Sequence, residues 1–358
     1  MLLAFLASRV TGRSFFPDNE QIAFSIGAIA AALLFYGTAF AGMDISEPLV
    51  LTPLVVSACG IALAHRYFAT ATSLLLAAAC YYSGLIESQN FWHYLVDPVL
   101  LLFSLVIAWR QRGHLSGVRI SDTSWQRGAL IVIAVFLAWS VYLASADPDT
   151  FRNRFVIEDG FVEWVTVVIL FTTMIVCLKR LVQLRPHRPP LFLSVTFLLA
   201  AFCLFGAGEE ISWGQRIFGL ETPEYFEENN SQGEIGLHNL VVVIDGEEVK
   251  LNKLIFGTGL ALALLIYLFV ATPLYRRKEP VRRFFNALAA PMPRNYQVIG
   301  YLAVVATVEL LIDHSKRGEM TEFAGSIMFA LNVIFPDNEA LFDKSRTLEQ
   351  INAGDSTG

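Results

Sequence analysis

Two glutamates stand side by side in GAGEEISWGQR, residues 206–216, directly after the apolar run LFLSVTFLLAAFCLF. Adjacent side chains on a helix point about 100° apart. Glu209 and Glu210 can therefore serve different partners, one facing a cavity while the other pairs with Arg216. Ser212 and Trp213 fall three and four residues beyond Glu209 and share its face. Carboxylate, hydroxyl and indole gathered this way suit ligand binding or acid–base chemistry. The blander alternative is that Gly206 and Gly208 admit close helix approach while Trp213 anchors at a membrane interface.

Other ionisable residues sit in similarly apolar surroundings. Asp159 and Glu163 lie in IEDGFVEW, Glu309 and Asp313 in VELLIDH, and Glu319 and Glu322 open the last apolar stretch. A charge at the centre of a spanning helix costs about 2.5–3.5 kcal/mol on insertion scales and marks a functional hypothesis by default. Glu163 and Glu309, each flanked by apolar residues, are expected to face the bundle interior or a wet cavity. Asp159, Glu224, Glu227, Glu228, Glu247 and Glu248 are expected among head groups.

The elements that must position these groups are membrane helices. Of 358 residues, 55% are hydrophobic and 16% charged, with mean hydropathy +0.53. Soluble domains carry about 25% charged residues, so the composition points to an all-α polytopic membrane protein. Stretches of roughly 20 apolar residues are expected to span near 22–42, 48–64, 68–86, 92–109, 128–146, 160–178, 191–208, 253–274 and 296–313. A tenth stretch, near 320–335, is short and spans or re-enters. Residues 1–335 thus form one transmembrane domain, with 209–251 as an outer loop or lid. The polar tail 343–358 is expected to be disordered. The four cysteines fall in apolar runs without CxxC spacing and read as small buried hydrophobes.

Lysine and arginine concentrate in alternate loops, with Arg110, Arg112, Arg119 and Arg127 in one, Lys179 to Arg188 in the next, and Arg276 to Arg294 in a third. The positive-inside tendency makes these cytoplasmic, together with the N-terminus, in a bacterial inner membrane. The 209–251 loop faces outward and is acidic. Its Asp245-Gly246, between VVVI and EEVKL, suits a hairpin turn. Glu234 and His238 are four apart, as a shared helical face requires, and His314 also lies at the outer edge.

Three segments, EDGFVEW (158–164), GEEISWGQR (208–216) and QGEIGLHN (232–239), together resemble a group of uncharacterised bacterial multi-pass membrane proteins. The resemblance covers about 80 residues and implies no established activity. The HxxxH pair of ceramidase-like hydrolases, the paired ExxH of di-iron oxidases and the GxSx beside a spanning histidine of rhomboid-like proteases are all missing. No phosphate-binding loop or dinucleotide fingerprint occurs in context. The basic residues follow topology, so nucleic acid is not an expected partner.

Two classes of function fit best. The first is a membrane-embedded hydrolase or transferase acting on a lipid-linked or envelope substrate, with Glu163, Glu209, Glu210, Ser212 and His238 dividing the acid, base and binding roles. In that reading a divalent metal ion could be held by Glu163, Glu209, His238, Glu309 and Asp313. The second is a proton- or cation-coupled transporter using Glu163, Glu309 and Asp313 as a relay. A scaffold or sensor binding a partner through the acidic face is the third reading, and oligomeric state stays open.

Overall fold

The computed structural model describes residues 18–40, 48–83, 98–110, 122–158, 160–231, 233–237, 240–244, 247–250 and 259–354. His238 and Asp159 lie outside the described residues, as do Gln232, Asn239 and the turn residues Asp245 and Gly246. The chain divides into two units, residues 1–161 with 312–314, and residues 162–311 with 315–358.

In the first unit, α1 (Asp18–Phe40) packs on α4 (Pro98–Arg110), and α2 (Pro48–Ala64) packs on both α3 (Phe68–Tyr82) and α5 (Asp122–Ala146). Ala32, Leu51 and Val55 form a core cluster here, bordered by Phe35, Leu74, Leu101 and Phe161. The buried Glu20 carboxylate accepts a hydrogen bond from the backbone N–H of Thr70 at 2.6 Å. That N–H belongs to the first turn of α3, where helical donors lack intrahelical partners. His314 meets Phe151 edge-on, with ring centroids 5.1 Å apart, which gives it a packing role.

The second unit begins with α6 (Phe161–Leu184) and α7 (Pro190–Glu210). Pro189 and Pro190 open α7, where a missing N–H costs nothing. Met174 and Cys177 of α6 pack with Ala200 and Cys203 of α7 and with Val333. Close approach is needed at Gly206, where a Cβ would stand 3.2 Å from the Leu170 side chain. Two short helices follow, α8 (Gln215–Phe218) and α9 (Glu224–Asn229). Strand β1 (Val241–Ile244) then pairs antiparallel with β2 (Glu247–Lys250). Helix α10 (Leu260–Arg277) contains a π-helical stretch at Tyr267–Ala271. The remaining helices are α11 (Glu279–Ala287), α12 (Asn295–Leu311), α13 (Gly318–Ile334) and α14 (Leu348–Gly354).

Four helices are long and apolar enough to cross a membrane among the described residues: Thr123–Ala146, Phe161–Leu184, Pro190–Glu210 and Leu260–Arg277. They suggest a membrane protein and correct the expected count of nine or ten spans. Four further apolar helices, Glu20–Phe35, Leu49–Ala64, Phe68–Tyr82 and Asn295–Leu311, are shorter. Of the expected span at 92–109, the described part is a helix at Pro98–Arg110, and residues 92–97 lie outside the described residues. The stretch near 320–335 is a helix of 17 residues carrying Glu319 and Glu322 in its first turns.

Residues 343–354 of the polar tail are structured, with a short helix at Leu348–Gly354, in contrast to the disorder expected from composition. Arg188 is the reason. Its guanidinium donates to the carbonyls of Leu341, Asp343 and Arg346 at 2.7–3.1 Å. Leu184, Phe192, Ala289, Leu341 and Ile351 close a small core beneath it.

Candidate functional site

The C-terminal end of α7 does not simply stop. Ser212, Trp213 and Gly214 all take left-handed backbone angles, with φ of 47°, 54° and 76°. Such angles are easy for glycine and cost about 1–3 kcal/mol each for other residues. The chain therefore reverses sharply over three residues, and strain is stored at Ser212 and Trp213. The turn brings the Trp213 ring back over Gly208, where a Cβ would lie 2.9 Å from the indole.

Glu209 is buried and both its oxygens are engaged. Oε1 accepts from the Trp213 indole N–H at 2.7 Å, and Oε2 accepts from the backbone N–H of Leu237 at 2.6 Å. This carboxylate fastens the loop to α7. Glu209, an expected catalytic and metal-binding group, has both carboxylate oxygens in these positioning contacts. The side chain of Arg216, its expected alternative partner, lies outside the described residues.

Ser212 is also buried, and its hydroxyl donates to the carboxylate of Glu234. Gln215 holds the loop on either side of that contact. Its amide Nε2 donates to Thr222 Oγ1 at 2.6 Å, and its Oε1 accepts from the Ile235 N–H at 2.7 Å. Thr222 Oγ1 in turn donates to the Gly233 carbonyl at 2.8 Å, and Gly233 has a left-handed φ of 66°. Asn230 Nδ2 donates to the Gly236 carbonyl at 3.0 Å. Segment 233–237 is thus held in place by side chains of residues 209–230. Residues 233–235 and 237 form bends, and His238, expected to share a helical face with Glu234, lies outside the described residues.

Glu210 points elsewhere. It interacts electrostatically with Glu322, Glu163, Glu319 and Glu209, so the start of α6, the end of α7 and the start of α13 contribute to one acidic cluster. Like charges at this range repel, and shared protons or a cation relieve the repulsion. Among the described residues, however, no group of three or more His, Cys, Asp or Glu has an arrangement able to hold a metal ion.

Glu309 is half exposed and pairs with Arg317 at 2.7 Å. It stands near the end of α12, so facing a cavity is not required to keep its charge solvated. Asp313 is exposed.

Sequence reasoning had singled out Ser212 and Glu234 separately but not as partners. Gln215 and Thr222 as loop fasteners were missed, and only a turn-favouring Gly214 signalled the reversal. No family model, curated protein or solved structure matches this chain.

Proposed function

We propose that the chain is a membrane-embedded hydrolase or transferase in which Ser212 is the nucleophile and Glu234 its base. The observation that carries this reading is a buried serine on a strained left-handed turn with its hydroxyl on a carboxylate. Nucleophilic serines need an adjacent base, and sharp turns that present the hydroxyl recur at such sites.

In the proposed reaction Ser212 Oγ bonds to the carbonyl carbon of an ester while Glu234 takes its proton. Collapse of the adduct breaks the bond to the leaving oxygen, which receives that proton from Glu234. Water, or an acceptor alcohol, then attacks the acyl-serine, loses a proton to Glu234 and frees Ser212, which regains it. Glu210, Glu163, Glu319 and Glu322 form the polar surroundings in which a lipid-linked or envelope substrate with hydroxyl or cationic groups is held. Positive-inside bias supports a multi-pass inner-membrane protein with the α7 turn facing outward.

Hydrolysis of a lipophilic ester by purified protein tests the reading. Turnover that disappears in Ser212→Ala, in protein that elutes as wild type does, is the expected result. Equal turnover in both proteins would refute it.

A second reading rests on Glu209, whose two hydrogen bonds serve only to fix the loop. The fastened loop would then be a docking platform, exposing Phe218, Leu220, Tyr225 and Leu237. It differs from the first in requiring no reactivity at Ser212.

A further inference from the structure

At the opposite end of α6 from Glu163 lies a cavity of about 540 Å³. It is framed by the last turns of α6 and by residues 339–346 of the C-terminal segment. Its floor is rigid. Arg180 donates to the carbonyls of Val333 and Ile334 at 2.5 and 2.9 Å, capping the end of α13, and lies 4.1 Å over the ring of Phe342. The wall formed by the C-terminal segment is pinned by Arg188.

Two further cations line this cavity from opposite walls, Lys179 on α6 and Arg346 on the C-terminal segment. Both are exposed. No hydrogen bond or ion pair to another described side chain holds Lys179, while Arg346 lies close enough to Asp343 to help lower that carboxylate's pKa. The carboxylates present are already committed: Glu339 pairs with Arg294 at 2.5 Å, and Asp343 accepts from the N–H and hydroxyl of Ser345 at 2.9 and 2.8 Å. Gln183 adds a neutral donor. Next to these polar residues, Ile175, Leu178 and Val182 are exposed on the same apolar helix.

We infer that this cavity binds the phosphate-bearing head group of an anionic phospholipid, with the acyl chains lying along the exposed apolar residues of α6. The charge is supplied by Lys179 and Arg346, fixed Arg180 adds a positive background, and the position at the end of an apolar helix of 24 residues places the cavity at head-group depth. Basic pockets at such ends suit anionic head groups. The inference is independent of any role for Ser212.

The test is lipid binding by the full chain in neutral detergent, followed by native mass spectrometry. Phosphatidylglycerol, phosphatidylcholine and inorganic phosphate are titrated separately against wild type and the double variant Lys179→Gln/Arg346→Gln. Wild type is expected to prefer phosphatidylglycerol, and the double variant to bind it roughly thirtyfold more weakly. The exchange Lys179→Arg/Arg346→Lys keeps both charges and should keep binding, which separates lost charge from lost fold. Equal phosphatidylglycerol binding by wild type and the Gln variant would overturn the inference. So would inorganic phosphate displacing the lipid at equal concentration, because the site would then belong to a soluble anion.

Discussion

Trp213 donates its indole N–H to the carboxylate of Glu209, four residues earlier, by folding back across Gly208. The same carboxylate accepts from Leu237, 28 residues later. One buried side chain thus joins the end of a membrane-length helix, a left-handed turn and the loop that carries Glu234.

Glycine at 208 is required by this folding back. A methyl group there would stand 2.9–3.0 Å from three indole carbons, and forced overpacking costs about 1–3 kcal/mol. Gly208→Ala is expected to lower the thermal midpoint in detergent. An unchanged midpoint would mean that the ring does not pack there.

Glu209→Gln replaces one accepting oxygen with a donating amide, leaving either the indole or the Leu237 N–H facing another donor. Leaving a buried donor unsatisfied costs about 1–3 kcal/mol. Faster hydrogen exchange at residues 233–237, with little change in α6, is the expected outcome. Uniform exchange across both proteins would show that the loop is fastened elsewhere.

Arg188→Ala would strip the C-terminal segment of donors to three of its carbonyls. Hydrogen bonds from charged groups contribute about 1.5–3 kcal/mol, so the segment should detach. Limited proteolysis is expected to cut after residue 341 in the variant well before wild type is cut there.

The helix ends and the acidic cluster were accessible from sequence because apolar runs delimit α6 and α7 and leave Glu163, Glu209 and Glu210 at their termini. What each glutamate does was not accessible. Its partner is a backbone N–H at Leu237 for Glu209, and three other carboxylates beyond its neighbour for Glu210; backbone donors carry no residue signature. The Ser212–Glu234 contact depends on how a loop of 21 intervening residues folds, which Gln215 and Thr222 decide through contacts no periodicity encodes. The tail misled for a similar reason. Its composition is polar, but Arg188 binds its carbonyls, which every sequence possesses. Span number was overestimated because apolar composition says little about where a helix breaks.

Asp343 should give the C-terminal segment a dependence on pH. The backbone N–H and hydroxyl of Ser345 hold its pKa below the ordinary carboxylate value. A group with a lowered folded pKa stabilises fully above its unfolded value and loses that contribution as pH falls through the folded one. Loosening of the local Asp343–Ser345 turn is therefore expected only on acidification below about pH 4, and proteolysis at residue 343 across a pH series checks it. Asp343→Asn should remove this acid step.

Reaction of Ser212 with a fluorophosphonate, located by mass spectrometry, tests the central claim most directly. Oγ would bond to phosphorus and fluoride would leave, with Glu234 taking the hydroxyl proton. An adduct is expected on Ser212 in wild type, none in Ser212→Ala, and labelling slowed by about 10²–10⁴-fold in Glu234→Gln, the range for a lost general base. A folded wild-type protein that leaves Ser212 unlabelled, or labels at the same rate without Glu234, would contradict it.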